Sequence, residues 1–345
     1  MASSGCEELG LRPDAPVQAS ESKRRQIKTN DGRYKPMEAI MNPGAGTNAG
    51  TGKGTGADTD TEAESLRNDE QAELWNGIAG RGWVEAQQVM DDLLRPFETR
   101  LLEELAAVMD ERPVRTLLDV GCGTGSTTMA AARSIGAGGR CVGVDISEPM
   151  LNHARSRAQT QAKDLTIEFI HADAQEHALD KDFFDQIISR FGVMFFADSI
   201  KAFTNLRSGI KSDGRLAFVA WRSPQENPFM TVPVKAAAQF VEIPPTPPNA
   251  PGQFGFADSK WVEHILKESG WVDVEIDPFD TTCSLPSENL RDFLNNVGPI
   301  SRLLPSQEES RKQIIDATIE QLEPFREGSE IRFDAACWLV RARAQ

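Results

Sequence analysis

Thiol and imidazole chemistry is sparse in this chain. Five cysteines, Cys6, Cys122, Cys141, Cys283 and Cys337, are scattered through 345 residues without a CxxC pair, a usage that suits a reducing compartment and leaves no zinc framework. Four histidines, His153, His171, His177 and His264, show no HExxH or paired-ligand spacing, so no metal is implied. Positive charge is also short: 37 Lys and Arg stand against 52 Asp and Glu, a formal net charge of −15. Nucleic acid is therefore not expected as a partner, because phosphate backbones are bound by Lys and Arg clusters that release counterions. An apolar run of about 18 residues is missing, and with it any expected membrane span. The N-terminal stretch "MASSGCEELGLRPDAPVQASESKRRQIK" has no apolar h-region and carries early acids at Glu7, Glu8 and Asp14. A cytoplasmic location is the resulting expectation.

What is present is enough apolar material for a core, 39% of residues, and a clear change of composition along the chain. Residues 1–65 include "NPGAGTNAGTGKGTGADTDTEAES", too poor in large apolar groups to offset ordering entropy, and read as a disordered low-complexity tail. Its "GTGKGTG" fails the GxxxxGK[ST] spacing of a phosphate loop. Residues 66–112 have helical periodicity through Leu66, Leu74, Val89, Leu93, Phe97, Leu101 and Leu105 and read as a helical cap. Trp75 and Trp83, among Gly77, Gly80 and Gly82, fit a core position and a lid alike.

Residues 113–345 then alternate. Apolar runs at 115–120, 140–145, 165–171, 184–190 and 215–221 read as strands, with helical segments near 125–135, 148–162 and 198–210 between them. That rhythm implies βαβ units and a parallel sheet covered on both faces. The proline-rich "IPPTPPNAPGQFGFADSK" breaks it and places an insertion at about 223–257 on the substrate side. A helix at 258–269 and strands in "GWVDVEIDPFDTTC" and "EIRFDAACWLVRAR" complete the reading.

The chemistry concentrates in "RTLLDVGCGTGSTTMAAARSIG", where Gly121, Gly123 and Gly125 join the first strand to a helix. Glycine there permits positive φ and close approach of a ligand to the backbone. A dinucleotide fold would want GxGxxG with a pyrophosphate at the helix N-terminus. Position 126 is Ser, and Asp119 would repel a diphosphate but could receive a ligand ammonium. The second strand ends in Asp145, about twenty residues beyond the turn, where a carboxylate accepts ribose hydroxyls. The third ends in Asp173 and Ala174, suited to accept from an adenine amino group and to offer a backbone N–H to a ring nitrogen. The three strand ends converge on one adenosine.

In these residues the chain resembles the class I S-adenosylmethionine-dependent methyltransferases: "LLDVGCGTG", "GVDIS" with "EPMLNHAR", and "IHADAQE" follow that family's first three motifs in order across 115–222. The preceding "QAELWNGIAGRGWVEAQQ" is similar to the N-terminal helices of a small-molecule branch related to quinone-biosynthesis methyltransferases. The resemblance implies a Rossmann-like doubly wound α/β fold with a mostly parallel seven-stranded sheet whose last strand is antiparallel. It implies S-adenosyl-L-methionine as cofactor, with Asp119, Gly121, Gly123 and Gly125 around the methionine moiety, Asp145 at the ribose, Ile146 and Met150 on the adenine faces, and Asp173 with Ala174 at the adenine edge.

Ser189, Arg190 and Phe191 lie at the fourth strand end, where ligands bind in such sheets. The sequence there, "SRFGVMFFAD", lacks the Asn/Asp-Pro-Pro-Tyr/Phe of enzymes that methylate adenine or glutamine amides. Arg190 could hold the methionine carboxylate or an acceptor carboxylate, or serve as a salt-bridged structural arginine. His171, two residues before Asp173 on a strand, is a candidate base on the cofactor face. Trp75, Trp83, Phe191 and Trp221 are candidate acceptor walls, and Cys122 reads as a small filler beneath the loop. A small-molecule methyl acceptor is the expected partner. The alternatives are a catalytically silent cofactor-binding sensor or partner subunit and a nicotinamide-dependent oxidoreductase.

Overall fold

The computed structural model describes residues 26–28, 34–36, 69–243 and 245–345. Two compact units are separated at Gly52/Lys53. In the first, β1 (Gln26–Lys28) pairs antiparallel with β2 (Tyr34–Pro36), Ile27 opposite Lys35. The low-complexity reading of 1–65 foresaw no strand there, and the rest of that expected tail lies outside the described residues.

The second unit is built on a sheet of β3 (Thr116–Val120), β4 (Arg140–Asp145), β5 (Thr166–His171), β6 (Phe184–Arg190), β7 (Ile210–Trp221), β8 (Trp271–Pro286), β9 (Arg326–Glu327) and β10 (Glu330–Ala344), in the order β5-β4-β3-β6-β7-β10-β8 with β9 paired to β10. Strands β5, β4, β3, β6 and β7 are mutually parallel. The final strand β10 inserts between β7 and β8 and is antiparallel to both. The expected mostly parallel sheet with an antiparallel last strand is observed, with the two-residue β9 added at one edge. Central strands are apolar because both faces are covered: Leu117, Leu118, Ile187 and Ile188 are fully buried.

A helical segment at 69–76 is followed by α1 (Ile78–Glu85), α2 (Gln87–Leu93) and α3 (Arg95–Glu111). The crossover helices are α4 (Ser126–Ile135), α5 (Glu148–Gln161) and α6 (Ser199–Gly209); α7 (Pro228–Ala237), α8 (Ser259–Glu268), α9 (Leu290–Asn296) and α10 (Glu308–Leu322) complete the set. α4 packs on β3 and β4, α5 on β5, and α8 on β8. Helix α8 starts where the pattern places it, Asp258 accepting from the Lys260 N–H at 2.9 Å as an N-cap.

One excursion had no counterpart in the sequence reading. Between β8 and β10 the chain leaves the sheet over 287–325, and α9 packs against α1 while α10 packs against α7. The approach of α1 to this excursion depends on Gly82, where a Cβ would lie 2.1 Å from the Asn296 carbonyl oxygen. Glycine is needed there for backbone proximity. Among the described residues no helix is long and apolar enough to cross a membrane.

Candidate functional site

The carboxyl ends of β3, β4 and β6 open into one cavity, accessible to the centres of water-sized spheres over about 250 Å³, more than ten times the roughly 10–15 Å³ that a single water requires. At its floor the glycine turn hooks under the sheet: Gly121 and Cys122 both donate to the Val144 carbonyl, at 2.9 and 3.2 Å. Gly121 has φ +68°, and a Cβ there would sit 2.5 Å from the Gly192 Cα. No other residue fits this turn without moving the loop after β6.

Asp145 fixes the turn from the second strand. Its two carboxylate oxygens accept from the Gly123 and Ser147 N–H groups, each at 2.8 Å. Burial pushes its carboxyl above the ordinary value, against these backbone donors. Asp119 is more deeply enclosed, at 1% exposure. One carboxylate oxygen accepts from Thr128 Oγ1 at 2.6 Å, and the other is buried without a partner. Burial raises this carboxyl to about 7, opposed by Thr128 and by Arg190. Arg190 lies 3.6 Å from Glu98 Oε2 through Nη1, an atom that is buried and makes no hydrogen bond. The Glu98 carboxylate is itself held by the Ser126 hydroxyl at 2.6 Å. Asp119 and Arg190 thus both line the cavity, each with a buried atom that makes no hydrogen bond.

Asp119, Gly121, Gly123 and Asp145 all line the cavity, as do Ile146, Met150, Ala174 and Arg190. The tryptophans and phenylalanine proposed as walls are there too: Trp75, Trp83, Trp221 and Phe191. Phe191 stacks on Trp221 with centroids 4.3 Å apart and planes 4° from parallel, and Trp75 meets Phe195 edge-on at 5.3 Å.

Four other positions depart from the reading. Gly125 does not line the cavity; it caps α4 with φ +81°, and a Cβ there would press on Phe169 at 2.9 Å and Ala154 at 3.0 Å, so its smallness serves helix–sheet packing. Ser189 is fully buried, donating to the Val120 carbonyl at 2.7 Å and accepting from the Gly192 N–H, and so braces two strand ends instead of meeting a ligand. His171 is exposed and outside the cavity, its Nε2 3.0 Å from the Ile146 carbonyl. Strand alternation did place His171 and Asp173 on one side, but the chain leaves β5 at His171, and the side chain turns toward the outer surface of the β4–α5 turn. Asp173 also stays out of the lining, its carboxylate accepting from the Gln175 N–H at 2.9 Å, while its neighbours Ala172 and Ala174 face inward. Cys122 lines the cavity and packs with Leu151, Ala154 and Phe169, its thiol pushed well above the ordinary value by burial.

Beyond the insertion expected at about 223–257 on the substrate side, sequence reasoning missed part of the enclosure. Phe229 and Met230 of α7 line the cavity together with Cys283, Phe293, Arg302 and Phe333, and Phe229 stacks on Phe333 at 3.5 Å. Only the insertion containing α7 had a signal, its prolines. On the opposite side, Asn76 joins the N-terminal helical segment to the Asp145 turn: Nδ2 donates to the Ile146 carbonyl at 2.9 Å and Oδ1 accepts from the Glu148 N–H at 2.9 Å. Ser147 adds a hydroxyl donation to the Trp75 carbonyl at 2.6 Å.

Residues 87–244 match the model of the ubiE/COQ5 methyltransferase family. A ubiquinone/menaquinone biosynthesis C-methyltransferase UbiE from Acidiphilium cryptum is 36% identical over 145 residues, 41% of this chain and 55% of that protein. The nocamycin O-methyltransferase of Saccharothrix syringae is 31% identical over 125 residues, 36% of this chain and 43% of that one. The chain thus spans about half the length of these curated relatives. Among solved structures, phosphoethanolamine N-methyltransferase 2 of Haemonchus contortus, crystallised with S-adenosylhomocysteine, aligns over 82% of this chain and 58% of its own with TM-score 0.42 and 18% identity. The resemblance read from the motifs holds over the matched segment, which is that of a methyltransferase family.

Proposed function

We propose that this protein transfers a methyl group from S-adenosylmethionine to a small, largely apolar acceptor by in-line displacement. The observation that carries the reading is the presence, in the lining of one cavity, of Asp119 with an oxygen that makes no hydrogen bond and Arg190 with a nitrogen that makes none and is only loosely ion-paired, 3.6 Å from Glu98. An amino-acid zwitterion satisfies both: its ammonium on Asp119 and its carboxylate on Arg190. Asp145 retains lone pairs for ribose hydroxyls, Ile146 and Met150 flank a flat base, and the turn glycines admit the thioether chain. A diphosphate would meet two carboxylates at the same place.

When bound, the cofactor supplies a sulfonium methyl with a good leaving group. The protein's share is then alignment and exclusion of water. The lining fits that division of labour: among the described residues its charged members are Asp119, Asp145, Arg190 and Arg302, with no histidine, lysine or tyrosine. The expected candidate base, His171, is outside.

Incubating the protein with methyl-labelled S-adenosylmethionine and a metabolite extract, followed by mass spectrometry, is expected to give a labelled small molecule. Cofactor binding without any labelled product would favour the sensor reading, and binding of NAD alone would sink the proposal. The Asn76 clasp provides a second check. Asn76→Ala removes hydrogen bonds worth roughly 1–2 kcal/mol in total, so S-adenosylhomocysteine is expected to dissociate roughly five- to thirtyfold faster. Stopped-flow tryptophan fluorescence would follow it through Trp75, and an unchanged off-rate would show that the N-terminal segment does not close the site.

A further inference from the structure

Arg302 is the feature of the cavity that the cofactor reading leaves unused. It follows α9, far in sequence from the glycine turn, and lines the same cavity as Phe229, Phe293, Phe333, Met230 and Cys283. The other charged lining residues, Asp119, Asp145 and Arg190, belong to the strand ends that receive the cofactor. Among the described residues Arg302 has no ion pair, whereas Arg291 and Arg326 each have an acid partner. The surrounding protein lowers its proton affinity by desolvation, with no acid contributing. The residue is exposed all the same, so a ligand can reach it.

A guanidinium cannot shed its proton to escape an apolar setting. In a chain with 52 acids, one left without an acid beside stacked phenylalanines is poised for a charge brought by the ligand. Among the described lining residues there is no histidine, lysine or tyrosine, and the two carboxylates belong to the cofactor's strand ends; the cavity favours an acceptor that enters already ionised.

We propose that Arg302 is a specificity-determining residue that binds an acidic group of the methyl acceptor, a flat apolar body bearing a carboxylate or another oxyanion. The acceptor's rings lie along Phe229, Phe293 and Phe333, and its oxyanion takes the planar guanidinium fork. This rests on the methyltransferase reading, since it is the cofactor that fills the opposite end.

The test uses the whole chain and a series of aromatic carboxylates, from benzoate to 2-naphthoate and anthracene-2-carboxylate, each paired with its uncharged amide. Calorimetry is done on the free protein and on the protein saturated with S-adenosylhomocysteine. At least one carboxylate is expected to bind about tenfold or more tightly than its amide. Arg302→Gln should abolish that preference, and Arg302→Lys should restore part of it, both leaving S-adenosylhomocysteine affinity unchanged. If no carboxylate outbinds its amide, or if the preference survives in Arg302→Gln, the proposal is overturned. Failure of S-adenosylhomocysteine to bind would instead overturn the methyltransferase reading, and the carboxylate preference of the free protein would still decide the case of Arg302.

Discussion

Asp119→Asn is expected to weaken S-adenosylhomocysteine binding roughly ten- to hundredfold, the value of a charge-assisted hydrogen bond of about 1.5–3 kcal/mol, and to flatten its pH dependence. In the free protein the carboxyl sits at about 7, raised by burial from 3.8. Below that pH it holds a proton which an incoming ammonium must displace. Affinity in the native protein should therefore rise with pH up to about 7, with proton release on binding, and then level off. The effect on stability has the opposite sense. Between about 4 and about 7 the unfolded chain is ionised at this position while the folded chain is protonated, so folding takes up a proton and free-protein stability falls as pH rises through that window. Asn cannot ionise and should remove this slope, leaving the variant relatively more stable at pH 8 than at pH 5 when each is compared with the native protein. Calorimetry across pH together with thermal unfolding checks both halves; an unchanged affinity profile would refute the ammonium assignment.

Asp145→Ala is the second large effect, because under the proposed reading this carboxylate binds the ribose as well as the turn. It would lose two ribose hydrogen bonds of roughly 1.5–3 kcal/mol each, about 10²–10⁴-fold in affinity. It would also strand the Gly123 and Ser147 N–H groups that now hold the turn at 2.8 Å. Asp145→Asn separates the duties: one amide oxygen can still accept from the turn, so thermal stability should stay closer to native than in Asp145→Ala while cofactor affinity drops. Equal melting temperatures for the two variants, with native affinity in both, would remove Asp145 from the site.

Legibility followed the range of the interactions. "TLLDV", "RCVGVD" and "FDQIISR" declared themselves as buried strands because each is a local apolar run covered on both faces. The glycine turn was legible because positive φ at Gly121 and Gly123 demands glycine whatever surrounds it. His171 misled because alternation predicts the side of a strand only while the strand lasts, and β5 ends at that residue. Gly125 misled in another way. Its left-handed φ was anticipated, but its neighbours are Phe169 and Ala154, not a ligand, and only packing could say so.

The sequence by itself determined the ladder of strands, the positions of the acids at their ends and the family likeness carried by them, since these depend on short-range periodicity and on backbone conformations that few residues tolerate. The tertiary structure alone decided the far wall of the cavity. Phe293, Arg302 and Phe333 share no spacing, and they join Phe229 of the expected insertion only because β10 inserts between β7 and β8 and carries the 287–325 excursion back over the strand ends. Local pattern therefore specified the glycine turn and the acids at the strand ends, and long-range packing specified what encloses them.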